Sequence, residues 1–202
     1  AGDMIYAGKY NAPDYERILA NNCELAVEST MIYHTPEVKE KLESFGIPVL
    51  AERSSYESHP LGRTEWMKLY AVLLDKEEEA QNFFDEQQKS LAEVLKDKNT
   101  GKTVAFFFIS SNGYVNVRKS GDYVPKMIEL AGGKYIFPEL GDEENALSTM
   151  NMQMEDFYAG AKDADYLIYN SSIDAELHSL DEMLDKSPLL ADFKAVKEGN
   201  VW

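Results

Sequence analysis

Six side chains have the chemistry to grip a small solute: Tyr33, Arg53, Tyr56, Arg63, Tyr114 and Arg118. Tyrosine offers a large rigid face at low entropic cost. Arginine offers a planar fork of donors that fits a carboxylate or another oxyanion at two points. Several of these residues sit in short polar stretches that follow apolar runs, namely Ser29 to His34, Glu52 to Tyr56 and Ser110 to Tyr114. Asn170-Ser171-Ser172 is a fourth stretch of the same kind. If the apolar runs are parallel strands, these stretches are the carboxyl-end loops where α/β sheets hold ligands. Taken singly, each residue is equally suited to be ordinary loop polarity. Met150, Met152 and Met154 alternate, as a pliable apolar wall or as part of a core.

Catalytic signatures are absent from the sequence. There is no glycine-rich phosphate loop, no GxSxG and no HExxH. His34, His59 and His178 are scattered, without the clustered spacing of metal ligands. No catalytic residue, metal ligand or cofactor is therefore named. Glu16 and Glu155 form a second constellation, each early in a short helix that leads into a strand. Alone, each is a solvated carboxylate favoured by the helix dipole. As a matched pair they read as acidic knobs facing a basic partner.

These groups must be positioned by regular elements, and the longest candidate runs from His59 to Lys98. Trp66, Tyr70, Leu73, Leu74, Phe83, Phe84, Leu91, Val94 and Leu95 recur at spacings of three and four, the stripe of an amphipathic helix. One break is expected near Asp75. As one helix the stretch would extend roughly 50 Å, a spine between two compact units. Two helices packed on each other in its place would count against the two-lobe reading itself. The expected division is residues 1–58 as a partial first lobe, 59–98 as the bridging helix and 99–202 as the second lobe. Around the spine, helices and strands alternate, which favours mostly parallel sheets. Asp14 to Ala20 is a short helix and Glu24 to Ser29 a strand. Thr35 is an expected N-cap with Pro36 at the first helical position, and the helix from Glu37 closes at Gly46. Ile47 to Leu50 is the next strand. After the spine, Thr103 to Ile109 is a continuous apolar run, as in a strand buried on both faces. Tyr114 to Arg118 is a strand, Tyr123 to Leu130 a helix, Lys134 to Pro138 a short strand and Glu139 to Ser148 an acidic loop. Met154 to Ala161 is a helix and Tyr166 to Tyr169 a strand. Helical segments follow, and a strand begins at Asn200.

Composition narrows the class. The 202 residues are 44% hydrophobic, enough for a real core. A formal net charge of −16 argues against nucleic acid and anionic membrane as partners, because both need a cationic footprint. The single cysteine, Cys23, excludes an internal disulfide and a cysteine-built zinc site, and its context is not that of a lipid attachment. No window is apolar over the length of a membrane span, and no leader segment is evident.

Several segments together resemble a known family. PDYERILANNCELAV, EVKEKLESFGIPVL, HPLGRTEW, YVPKMIELAGGKYIF, MEDFYAGAKDADYLIY and SPLLADFKAVKEGNVW occur in the order found in class III solute-binding proteins of iron-siderophore, haem and vitamin B12 ABC importers. The resemblance covers nearly the whole chain. It implies two α/β lobes joined by one long helix, with ligand in the cleft and little closure. It also implies a glutamate on each lobe that pairs with arginines of the permease, and these fall on Glu16 and Glu155. Family members have further segments on both sides, so the chain is expected to be trimmed at both ends.

The function expected is that of the extracytoplasmic substrate-binding component of an ABC importer, capturing an iron chelate such as a siderophore or haem, or a corrinoid, and delivering it to the permease. One alternative on the same fold binds molybdate or tungstate through Arg53, Arg63 and Arg118. Another is a metal-chelatase-like enzyme.

Overall fold

The computed structural model describes residues 4–96, 99–141, 149–173 and 176–202. The chain divides into two compact units, Ala1–Ser55 and Tyr56–Trp202.

In the first unit a small hairpin, β1 (Gly8–Lys9) and β2 (Ala12–Pro13), precedes helix α1 (Tyr15–Ala20). Asp14 caps α1 by accepting the Arg17 N–H at 3.0 Å, a side-chain answer to an orphan donor of the first turn. Strand β3 (Ala26–Ser29) runs parallel to β4 (Val49–Glu52), and helix α2 (Pro36–Ser44) makes the crossover. A parallel pair needs such a crossover. Ile32, Val38, Leu42 and Ile47 form the small core. Thr35 does occupy the N-cap of α2, but its hydroxyl makes no capping bond and is buried without a hydrogen-bond partner. Pro36 starts the helix with its φ already fixed and no N–H to satisfy.

The second unit corrects the single spine. Its first 40 residues form three helices: α3 (Pro60–Glu65), α4 (Met67–Leu74) and α5 (Glu77–Val94). The break at Asp75 is a left-handed residue with φ +57°, and the Lys76 N–H closes back on the Ala71 carbonyl at 2.9 Å. A short polar side chain tolerates that region, where a β-branched one would not. Glu77, Glu78 and Glu79 then open α5 at the positive end of its dipole. Helices α4 and α5 pack on each other, and the 18 residues of α5 span only about 27 Å. The strut of roughly 50 Å is therefore not formed, yet the chain still divides into two compact units, so the packed helices do not undo the two-lobe reading.

Beyond α5 come β5 (Thr103–Ile109), β6 (Val115–Arg118), α6 (Tyr123–Leu130), β7 (Lys134–Tyr135), β8 (Thr149–Met152), α7 (Met154–Ala161), β9 (Tyr166–Tyr169), α8 (Leu180–Lys186) and α9 (Lys194–Glu198). The sheet is mixed rather than mostly parallel. Strand β5 pairs parallel with β7 and β9, whereas β6 is antiparallel to both β5 and β8. The five-residue turn from Ser110 to Tyr114 permits the antiparallel return. Val201 adds a parallel bridge to Leu167, so the strand expected at Asn200 begins there. Most of the acidic loop, residues 142–148, lies outside the described residues.

Strand β5 is fully buried on one face and partly buried on the other, where Phe106 and Phe108 keep some exposure. Ala105, Phe107 and Ile109 join Phe157, Leu167, Leu190 and Phe193 in the main core, with Phe107 and Phe157 ring centroids 4.6 Å apart. On the other face Val104 packs with Val124, Ile128 and Tyr135 beneath α6. Met152 and Met154 pack on the main core, while Met150 is more than a third exposed. Asp165 ties the amino end of β5 to α9. It accepts the Thr103 N–H at 2.9 Å and ion-pairs with Lys194 at 2.7 Å and Lys102 at 3.3 Å.

Candidate ligand-binding site

In the first unit, parallel register aligns Ser29 with Glu52, so the segments after β3 and β4 leave the sheet at one end. Tyr33 lies on the short 3-10 helix Thr30–His34, which Ser29 caps by accepting the Met31 N–H at 3.3 Å. Arg53 follows β4 directly, beside a turn fixed by the Ser54 N–H on Glu52 Oε1 at 2.6 Å. Both Tyr33 and Arg53 are exposed. They stand at the strand carboxyl ends where a ligand would be met.

In the second unit, Arg63 and Arg118 come together around a residue the sequence reading treated only as a helix start. The Arg63 guanidinium carbon lies 3.8 Å from the Tyr123 ring centroid, and that of Arg118 lies 6.0 Å from the same centroid. Arg118 is also 5.8 Å from the Phe106 ring. Tyr123 is the first residue of α6, and Asp122 is its N-cap, accepting the Val124 N–H at 3.0 Å. The other Asp122 oxygen ion-pairs with Arg118 at 3.5 Å. Asp122 is 3% exposed, the sole buried charged residue among those described. A buried carboxylate needs both a countercharge and hydrogen bonds, and here it has them.

The backbone around these arginines is also clamped. Tyr135 donates its hydroxyl proton to the Arg118 carbonyl at 2.5 Å, and burial holds the phenol well above its ordinary pKa. Arg63 donates its Nε–H to the Glu57 carbonyl at 3.1 Å, while the Glu57 carboxylate accepts the Trp66 indole N–H at 3.0 Å. His59 Nδ1 accepts the Leu61 N–H at 3.2 Å and caps α3, with Pro60 at the first helical position. Tyr56 precedes Glu57 and is half exposed.

Tyr114 is not part of this cluster. It ends the β5–β6 turn, where Ser110 donates both its N–H and its hydroxyl to the Tyr114 carbonyl. Strand β6 then separates it from Arg118 by roughly 13 Å. Asn116 shares the Arg118 face of β6 and donates to Asn151 Oδ1 at 2.7 Å. Glu16 and Glu155 are exposed in the first turns of α1 and α7. Among the described residues, no group of three or more His, Cys, Asp or Glu side chains could hold a metal ion, and no helix is long and apolar enough to cross a membrane. A groove of about 330 Å³ between α3, α5 and α6, lined by Leu61, Leu91, Val94 and Met127, carries no charged group.

Aromatic and cationic groups are presented at strand ends in the first unit and at a helix start in the second. The chain belongs to the periplasmic binding protein family, whose model matches residues 3–202. It is 30% identical over 203 residues to an uncharacterized lipoprotein of Methanocaldococcus jannaschii, covering 100% of this chain and 47% of that protein. The chain thus spans about half the length of this relative. Its fold is similar to that of the periplasmic haem-binding protein HutB of Vibrio cholerae, with TM-score 0.78 and 20% identity, covering 99% of this chain and 74% of HutB. It is also similar to the Fe3+-Desferal-bound siderophore-binding protein FhuD of Vibrio cholerae, with TM-score 0.74 and 15% identity, covering 100% of this chain and 73% of FhuD.

Proposed function

We propose that the protein is the extracytoplasmic substrate-binding component of an ABC importer, which captures an iron chelate such as a siderophore or haem, or a corrinoid, and delivers it to the permease. The observation that carries this reading is family membership over residues 3–202, together with the Arg63–Tyr123–Arg118 cluster. Folds like this one carry haem in HutB and a ferric siderophore in FhuD. A location outside the cytoplasm accords with the lipoprotein relative. In this reading Tyr33, Arg53, Tyr56, Arg63, Tyr114 and Arg118 contact the solute. Glu16 and Glu155 dock on permease arginines, because both are exposed carboxylates in first helical turns.

The paired guanidiniums favour a second reading on the same fold, an oxyanion binder for molybdate or tungstate, with Arg63 and Arg118 as ligands and Arg53 as a third.

A thermal-shift panel of ferric siderophores, haem, cobalamin, molybdate and tungstate tests both, since a ligand that binds only the native state raises the melting temperature. A shift with a chelate or corrinoid is expected. A shift with molybdate alone would overturn the chelate reading.

A further inference from the structure

We infer that the cross-strand pair Asn116–Asn151, with Phe108 beside it, binds amide groups of the solute, so that the transported chelate or corrinoid is one that carries amides. This rests on the solute-binding reading and narrows it to one class of polar group.

The sheet registers put three side chains in one row. Phe108 of β5 pairs with Asn116 of β6, and Asn116 pairs with Asn151 of β8. The positions next to them in sequence belong to the other face: Val115 and Val117 are buried, and Met152 packs on the main core. Strand alternation therefore turns the Phe108–Asn116–Asn151 row away from that core. Asn151 is exposed there, and Phe108 and Asn116 are half-buried. Phe108 is the last residue but one of β5, so the row stands near a strand carboxyl end, where α/β sheets hold ligands.

A single bond joins the two amides: Asn116 donates from Nδ2 to Asn151 Oδ1 at 2.7 Å. Among the described residues, neither the Asn116 carbonyl oxygen nor the Asn151 amino group has a partner. The pair thus presents one acceptor and one donor group side by side. The shared bond polarises both, making the first a better acceptor and the second a better donor. A carboxylate or inorganic oxyanion would satisfy Asn151 and meet the lone pairs of Asn116. A cation would do the reverse. An amide, with its C=O and N–H, satisfies both, and the Phe108 ring gives its apolar flank a flat surface to lie on. Asparagine is a poor strand former, and a β-branched residue would serve an exposed cross-strand pair better. Sheet stability gives no reason for asparagine at both positions, whereas amide recognition does.

The test is equilibrium titration of the full chain with ferrioxamine B and cyanocobalamin, which carry amides. Haem and ferric citrate, which carry carboxylates and no amide, are the contrasting arms. At least one amide-bearing probe is expected to bind. Asn116→Thr combined with Asn151→Thr is expected to raise the Kd for that probe about tenfold or more, two hydrogen bonds being lost. The ratio should be the same in about 50 mM and about 500 mM salt, because no charge is removed. Asn151→Thr alone should fall between. The melting temperature of the double variant should equal or exceed that of wild type, since threonine is the better strand former. An unchanged Kd in the double variant, with or without a lowered melting temperature, would show the pair to be structural and overturn the amide assignment, leaving the solute-binding function standing. Binding of haem or ferric citrate alone would overturn it in the same way. Binding of none of the four probes would remove both.

Discussion

Asp122 makes two bonds at once, and each can be removed separately. Asp122→Ala deletes the N-cap of α6, worth about 1 kcal/mol, and strands the Arg118 guanidinium. Removing one partner of a fully buried pair costs about 3–5 kcal/mol. Arg118 is 21% exposed and can partly rehydrate, so about 1–2 kcal/mol is the better figure here. Asp122→Ala should therefore destabilise by about 2–3 kcal/mol, or about 4–12 °C in Tm for a chain of this size. Asp122→Asn keeps an acceptor for the Val124 N–H and loses only the charge, so it should cost about 1–2 kcal/mol. Urea denaturation followed by tryptophan emission reads the relevant unit directly, because both tryptophans, Trp66 and Trp202, lie in Tyr56–Trp202. Combined with Arg118→Gln, the loss should fall short of the sum of the single losses, as expected of residues in contact. Equal effects of Ala and Asn would show that the cap contributes nothing. Strict additivity with Arg118→Gln would refute the ion pair as the element that orders the cluster.

Two further outcomes follow from the geometry. Hydrogen bonding to Lys194, then to the Thr103 N–H, holds the Asp165 carboxyl well below the usual carboxylate range. A depressed folded-state pKa stabilises above the unfolded pKa of about 4 and loses that contribution as pH falls towards the folded value. The Tm gap between wild type and Asp165→Asn should thus be steady from about pH 8 to pH 5 and narrow below about pH 4; a gap independent of pH would exclude the charge as its source. In a reconstituted importer, Glu16→Lys with Glu155→Lys should abolish uptake while solute affinity in titration stays within about twofold, since both residues are exposed; undiminished uptake would remove these two residues from the docking surface.

Local elements were largely legible in the sequence. Helices Tyr123–Leu130 and Met154–Ala161 and strand Tyr166–Tyr169 have the expected bounds. Their apolar spacing, caps and bounding glycines all act within a few residues. The run of Thr103 to Ile109 announced a strand because no polar residue interrupts it, though its second face is only partly buried. Longer-range features were less legible. The apolar stripe of the His59–Lys98 stretch continues across Asp75, and only the left-handed turn there, followed by three glutamates, marks two helices. Thr149–Met152 pairs as an edge strand with β6, although Thr-Met-Asn-Met carries weak strand propensity, because pairing across the sheet decides it. The site divides in the same way. Arg63 and Arg118 could be nominated by residue type. Their meeting at Tyr123 joins residues some sixty positions apart, and no local pattern encodes that. The Asp-Tyr start of α6 was a visible capping signal, but its second use, as a holder of two arginines, depends on the packing of α3 against α6.

The central claim is solute capture, and isothermal titration of the full chain against haem, ferric siderophores, cobalamin, molybdate and tungstate tests it most directly. The account predicts saturable one-to-one binding of an iron chelate or corrinoid, weakened about tenfold or more by Arg63→Gln. Absence of binding across the whole panel by the folded protein would contradict it.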